Sequence, residues 1–178
     1  MKHLLHVILC LLFSGSAMAQ DYEPQSQFAK DFLHVWQVST RNAIEVAEAM
    51  PDSLYSFKPA KESKTFGDQI GHIAFTLEFL SDGFAKDNWG EYKDPVTADM
   101  SKQEIIDYLK QNIELATQSI CDMTEEASTE TIKAFAGREL KRYVTILFIQ
   151  DHLTNHRAKA NLYIRMNGIN PPEYAFFN

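Results

Sequence analysis

The feature that most constrains the fold is the recurrence of apolar residues every three or four positions in four separate stretches. Phe28, Phe32 and Trp36 begin the first of these stretches, and Pro51 ends it. Nowhere do β-branched and aromatic residues alternate with polar ones in the way that predicts a β-strand. The sequence therefore predicts an all-α domain with four long helices.

Capping residues mark where the helices begin. The first helix is predicted to start near Pro24, because proline is favoured in the first turn of a helix. Thr65 is followed three residues later by Asp68, and Ser101 by Glu104. This spacing is typical of capping boxes, which predict the starts of the second and third helices.

The ends of the later helices are also marked. The second helix is predicted to stop before Trp89, with residues 90–100 forming a linker, and the third to close in the polar segment 123–131. The fourth is predicted to run from about Arg138 to Asn167, because Gly168 is placed to terminate it. Together these segments predict a four-helix bundle with some longer connections.

Residues 1–19 differ from the rest of the chain. Lys2 precedes an apolar run that ends in small residues, which is typical of a cleaved secretory signal peptide. We expect a mature domain of residues 20–178 that is secreted or periplasmic. Cys10 lies within the apolar run, so a lipid anchor is the less favoured alternative. No later stretch approaches the roughly 20 apolar residues of a membrane-spanning helix, so we expect no integral membrane association.

Charge and cysteine content limit the classes of partner and cross-link. The chain has 17 Lys and Arg against 24 Asp and Glu, a net charge of −7, which disfavours nucleic acid as a partner. After cleavage only Cys121 remains, so no internal disulfide can form. We expect a partly buried helical cysteine there, with a nucleophilic role as the alternative.

Three histidines are candidates for a metal site. His152 and His156 are spaced i, i+4, which places both imidazoles on one helix face where they can bind one ion. This pair also occurs by chance on solvated helices. Both histidines are in register with Phe148 and Ile149, which we expect to face inward. His72 lies close to the inward stripe of the second helix.

Three imidazoles from two helices would leave at least one coordination position open, which is typical of catalytic sites. We expect a divalent metal such as zinc, nickel or manganese, and the alternative is that His72, His152 and His156 are hydrogen-bonded core residues. Gly71 would allow another helix to approach His72 closely. His34 fits the inward stripe of the first helix poorly and is expected on the surface.

Two segments carry a resemblance to a known family. Residues 66–74 read FGDQIGHIA and residues 151–157 read DHLTNHR, and both resemble the DinB superfamily. The likeness includes segments 57–59 and 163–172 and covers essentially the whole mature chain. It implies an up-down bundle with a long crossover between helices two and three, and a divalent metal bound by His72, His152 and His156.

The resemblance also implies chemistry, because family members are similar to thiol-dependent transferases and isomerases or to metal-dependent hydrolases. Many relatives carry Arg-Gly-Gln where this chain has Arg157, Ala158 and Lys159. Small thiols are mainly cytosolic, so export favours hydrolysis or a binding role. We therefore predict a metal-dependent hydrolase acting on a small-molecule substrate. The alternatives are a non-catalytic metal or small-ligand binding module, a thiol-dependent transferase, and a bundle without metal.

Three charged residues are candidates for accessory roles. Asp68 lies one turn before His72 and Asp151 adjoins His152, so either could orient a ligand or move a proton. A solvated helix charge is the favoured interpretation of each. Arg157 could bind an anionic substrate group or form a surface ion pair.

The aromatic tail (Tyr174, Phe176 and Phe177) could pack on its own bundle or on a partner, which leaves a homodimer open.

Overall fold

The fold is the predicted helical bundle. The computed structural model describes residues 22–174, so the predicted signal peptide and the end of the aromatic tail, including Phe176 and Phe177, lie outside the described residues. The elements in chain order are α1 (Gln27–Ala49), α2 (Phe66–Lys86), α3 (Lys102–Cys121), α4 (Glu125–Thr129), β1 (Thr131–Lys133), β2 (Glu139–Lys141) and α5 (Arg142–Met166). The four long helices α1, α2, α3 and α5 correspond to the four predicted from the sequence.

Local chemistry explains most of the helix boundaries. Ser26 accepts a hydrogen bond from the Ala29 amide, so α1 begins at Gln27 and not near Pro24. Both predicted capping boxes are present at the starts of α2 and α3. α5 ends at Met166, two residues before Gly168 with its φ of 73°, as the sequence predicted.

The segment between α3 and α5 differs from the prediction. β1 and β2 pair antiparallel as a hairpin with Ile132 opposite Leu140, and α5 begins at Arg142 and not at Arg138. The chain reverses because Ala136 and Gly137 adopt positive φ values of 58° and 70°. Strands of three residues are too short to be recognised by alternation. The all-α fold class is confirmed, and this short hairpin is an addition that the sequence did not predict.

Arg142 anchors the hairpin to the bundle. Its buried guanidinium donates to the Phe84 carbonyl of α2 and pairs with Asp87 at 2.8 Å and Glu130 at 2.6 Å. These three acceptors engage its two terminal nitrogens and offset much of the cost of burying the charge, whereas Nε has no hydrogen-bond partner in the described structure. The hairpin is thereby held beside the C-terminal end of α2.

The four long helices run up, down, down and up. α2 packs against α3 and α5, and α1 also packs against α3 and α5, so α1 and α2 lie on opposite corners. Gln69 near the start of α2 contacts Tyr163 near the end of α5, so these helices are antiparallel. Gly67 of α2 faces Ile105 of α3 at their N-terminal ends. The connection 87–101 therefore runs back along α2, which confirms a crossover between the second and third helices.

Two glycines of α2 hold this crossover close. A Cβ at Gly71 would overlap the Thr97 methyl group, and one at Gly83 would overlap the Trp89 ring. The Thr97 hydroxyl also donates a hydrogen bond to Asp68. The close approach expected at Gly71 is thus made by the crossover and not by another helix.

The core lies between the four long helices, and its largest fully buried side chains include Trp36, Phe66 and Phe84. Cys121 is fully buried, where a partly buried helical cysteine was predicted. His34 is exposed, as predicted. Phe148 was expected to face inward but is 43% exposed. Its ring contacts Phe135 of the hairpin, which is itself 48% exposed. Within residues 22–174, no helix is long and apolar enough to cross a membrane.

Candidate metal centre

The antiparallel packing of α2 and α5 brings the three predicted histidines together. His72 comes from α2, and His152 and His156 lie one turn apart on α5. One potential ligand atom from each lies within 4.8 Å of the others. Nitrogen atoms at about 2.1 Å from a tetrahedral zinc ion are roughly 3.4 Å apart. A modest inward movement of the rings would therefore let all three coordinate one ion.

His72 is oriented by the crossover. Its Nδ1 lies 3.0 Å from Oδ2 of Asp94, and the same carboxylate oxygen lies 3.5 Å from Nζ of Lys64. When Nδ1–H donates to Asp94, Nε2 carries the free lone pair. A carboxylate that holds the second nitrogen in this way is typical of metal-binding histidines.

His156 is oriented from within the bundle. Its Nδ1 lies 2.7 Å from Oε1 of Gln69, whose amide group donates to the Tyr163 hydroxyl at 3.4 Å. Because the amide oxygen can only accept, Nδ1 of His156 is the donor and Nε2 is left with its lone pair. His72 and His156 thus offer the same nitrogen.

The surroundings of the His152 ring indicate whether a metal ion fits at this site. Its Nε2 is buried and has no hydrogen-bond partner in the described structure. An unpaired buried polar atom is costly and calls for a partner such as an ion or water. Three imidazole nitrogens are a donor set that zinc, nickel, copper and iron favour. The three histidines therefore fit a divalent transition metal ion.

Electrostatics keep two of these imidazoles neutral. Burial and the neighbouring rings of His152 and His72 lower the pKa of His156 to about 3. Burial, His72 and Lys159 likewise lower the pKa of His152, against a smaller opposing effect of Asp151. Neutral imidazole is the form that binds metal. Near pH 7 these lone pairs are available without loss of a proton.

The three charged candidates, Asp68, Asp151 and Arg157, lie outside the three-histidine cluster. The Asp68 carboxylate accepts hydrogen bonds from the Thr65 backbone amide and the Thr97 hydroxyl. Burial acts to raise the pKa of Asp68, but these hydrogen bonds lower it. Asp151 lies on the exposed face of α5. Arg157 is buried against α1, where it donates to Ser39, and its guanidinium lies 4.9 Å from the centre of the Tyr174 ring.

The orienting roles of Asp94 and Gln69 were not predicted from the sequence. Gln69 precedes His72 by three positions on α2, so helical spacing could have placed it near the histidines. Asp94 lies in a linker, 22 residues from His72. No local pattern connects those two positions, because their contact depends on the path of the crossover.

The fold and this site define a helical-bundle protein with a three-histidine candidate metal centre. The family model of the DinB superfamily matches residues 36–160. The chain belongs to the DinB superfamily.

Solved structures support the same fold. A DinB-like protein from Bacillus cereus ATCC 10987 is similar at a TM-score of 0.71 and 21% identity, over 81% of this chain and 95% of that one. A DinB-like protein from Bacillus subtilis is similar at a TM-score of 0.63 and 22% identity, over 84% and 97% of the respective chains. The comparison with curated proteins found no significant match.

Proposed function

We propose that this protein binds one divalent transition metal ion through His72, His152 and His156 and hydrolyses a small-molecule substrate outside the cytoplasm. The observation that carries the proposal is the unpartnered, buried Nε2 of His152 beside two imidazoles whose Nδ1 atoms are already engaged. Three protein ligands leave a position for water or substrate, as in catalytic zinc sites.

The chain's own residues prepare the site. Asp94 and Gln69 fix the rings of His72 and His156, so less conformational freedom is lost when an ion binds. Burial keeps His152 and His156 neutral and excludes competing protons. A divalent ion there would lower the pKa of bound water toward about 7 and polarise a substrate oxygen. Zinc and nickel suit three imidazoles better than manganese, which prefers oxygen ligands.

Hydrolysis is tested with a panel of ester and amide substrates supplied to the zinc-loaded protein. We expect His152→Ala to lower the rate on any accepted substrate by roughly 100-fold or more, because the ion loses a ligand. His34→Ala is the matched control, since His34 is exposed on α1. Equal rates for wild type and His152→Ala would remove the metal centre from the reaction.

The same proteins distinguish the alternative functions. Metal binding without turnover of any ester or amide, together with metal-dependent transfer to a low-molecular-weight thiol, would favour a thiol-dependent transferase. Metal binding with neither activity would favour a binding module.

Export is tested separately by expressing the full chain in a bacterial host and sequencing the N-terminus of the secreted or periplasmic product. We expect the product to begin at Gln20. A cytoplasmic product that retains Lys2 would contradict export and would remove the argument against thiol chemistry.

A further inference from the structure

An apolar cleft lies beside the metal centre, between α5 and the β1–β2 hairpin. We call it the hairpin cleft. Its volume of about 470 Å³ is in the range of small-molecule sites. Its lining is mostly apolar and includes Phe84, Phe135, Leu140, Val144 and Phe148. Buried Phe84 forms the part of the lining that belongs to α2.

Phe148 connects the hairpin cleft to the metal centre. Phe148 lines the cleft, and its ring centre lies only 6.1 Å from that of His152. Phe148 also contacts Phe135, whose ring in turn lies 5.8 Å from that of Trp89. A molecule whose apolar part occupies the cleft would therefore extend toward the three histidines.

The aromatic side chains around the cleft are unusually accessible. Trp89 is 43% exposed and Phe135 is 48% exposed, although both are large enough to be buried with a substantial gain in free energy. A contiguous exposed apolar surface of this kind marks an interaction site more often than an isolated apolar residue does.

The charge at the cleft favours an anion. Arg138 lines the cleft, and no ion pair of Arg138 is formed within residues 22–174. The neighbouring cation Arg142 is already bound by Asp87 and Glu130. An accessible guanidinium next to an apolar cleft fits a ligand with both an anionic and an apolar part.

We propose that the hairpin cleft binds an anionic amphiphile, with its anionic group on Arg138 and its apolar body along Phe135 and Phe148. This proposal deepens the proposed function and rests on it for one point, that the bound molecule is the substrate. The substrate class is then a small ester or amide whose apolar acyl or aryl part ends in an anionic group.

Binding is tested by calorimetry with octanoate and 1-octanol on the metal-free protein, so that the carboxylate cannot bind an ion at the histidines. We expect saturable octanoate binding that Arg138→Gln weakens roughly fivefold or more, since an exposed charge-assisted hydrogen bond is lost. Octanol binding should not respond to this change. Phe135→Ser, at the exposed hairpin tip, should weaken binding of both ligands about fivefold.

Two exposed residues of α5 provide matched controls. Leu162→Ser removes an apolar side chain that is 54% exposed, and Arg165→Gln removes an exposed cation. Neither lines the hairpin cleft, so neither should change octanoate affinity. Absence of saturable binding, or equal losses in the control variants, would overturn the proposal. A wild-type dimer that Phe135→Ser separates, without octanoate binding, would show that a second copy covers the cleft.

The two proposals fail in different ways. Octanoate binding that depends on Arg138, without hydrolysis of any ester or amide, would leave the cleft assigned and contradict the hydrolase proposal. Metal-dependent hydrolysis with octanoate affinity unchanged in Arg138→Gln and Phe135→Ser would do the reverse.

Discussion

At the scale of single residues, the site depends on how the imidazoles are held. Nδ1 of His72 is engaged by Asp94 and Nδ1 of His156 by Gln69. Each contact fixes which nitrogen of the ring remains free. His152 differs, because its Nε2 is buried without a partner in the described structure. We infer that two of the candidate ligands are preorganised and that a bound ion would complete the site at the third.

Asp94 should therefore contribute to metal affinity although it is not a ligand. We expect Asp94→Ala to weaken zinc binding by about 10- to 100-fold, because His72 loses its orienting carboxylate. Affinity is measured by competition with a chelating dye. Asp151→Ala is the control, since Asp151 adjoins His152 but lies on the exposed face of α5. An equal loss in both variants would indicate a general effect of negative charge.

The low pKa of His156 should appear in the stability of the metal-free protein. The folded protein holds this pKa at about 3 against an ordinary value of 6.5. Between these values the unfolded state binds a proton that the folded state does not. The free energy of unfolding should therefore fall as the pH drops through this window, by up to about 1.4 kcal/mol per pH unit from this group.

This pH dependence is measured by urea unfolding between pH 7 and 4 in the presence of a chelator. His156→Gln removes the titrating group and should flatten the dependence, whereas His34→Gln, which changes an exposed histidine, should not. Identical slopes in wild type and His156→Gln would contradict the burial of a neutral imidazole at this position.

Part of the candidate site could be predicted from the sequence. Helical spacing and apolar register were sufficient to propose His72, His152 and His156, because the histidines on α5 are one turn apart. Spacing could not show that Arg157 turns toward Ser39. It could not place Asp94 either, because that residue reaches His72 only through tertiary structure.

At the scale of elements, the crossover between α2 and α3 is the part that connects fold and site. It lies close to α2 because Gly71 and Gly83 have no side chain where Thr97 and Trp89 pack. Its residue Asp94 then reaches His72. Displacement of the crossover should thus affect both stability and metal binding.

Gly71→Ala tests this coupling. The added methyl group would overlap the Thr97 methyl group, so we expect a loss of about 1–3 kcal/mol in the free energy of unfolding and weaker zinc binding. Thr97→Ser removes that methyl group and keeps the hydroxyl that donates to Asp68. The double variant should recover most of both losses, and no recovery would show that the crossover is held in another way.

The elements were predictable where local chemistry decides them. Capping boxes and Gly168 correctly marked several ends of α2, α3 and α5. The β1–β2 hairpin was not predictable, because its strands are short. Its position also depends on contacts of Arg142 with Phe84 and Asp87, which are far away in the sequence. The helical pattern alone therefore predicted a start for the last helix that was too early in the sequence.

At the scale of the whole molecule, the up-down-down-up arrangement makes α2 and α5 antiparallel neighbours. This packing joins His72 to histidines that lie 80 and 84 residues later in the printed sequence. An ion bound there would cross-link two helices of the bundle. Because only the folded state forms the site, binding should stabilise the whole fold.

Metal removal should therefore lower thermal stability. We expect zinc at about 100 times its Kd to add roughly 2.7 kcal/mol to the free energy of unfolding, measured as a rise in Tm that a chelator reverses. His152→Ala should show little of this rise. A similar rise in that variant would mean that zinc stabilises the protein at another place.

The most direct test of metal binding by the three histidines is an anomalous diffraction map from crystals of the zinc-loaded protein. We expect one strong peak at about 2.0–2.1 Å from Nε2 of each of His72, His152 and His156, with Asp94 still hydrogen-bonded to Nδ1 of His72. A zinc peak elsewhere, or no peak among these three imidazoles at saturating zinc, would contradict it.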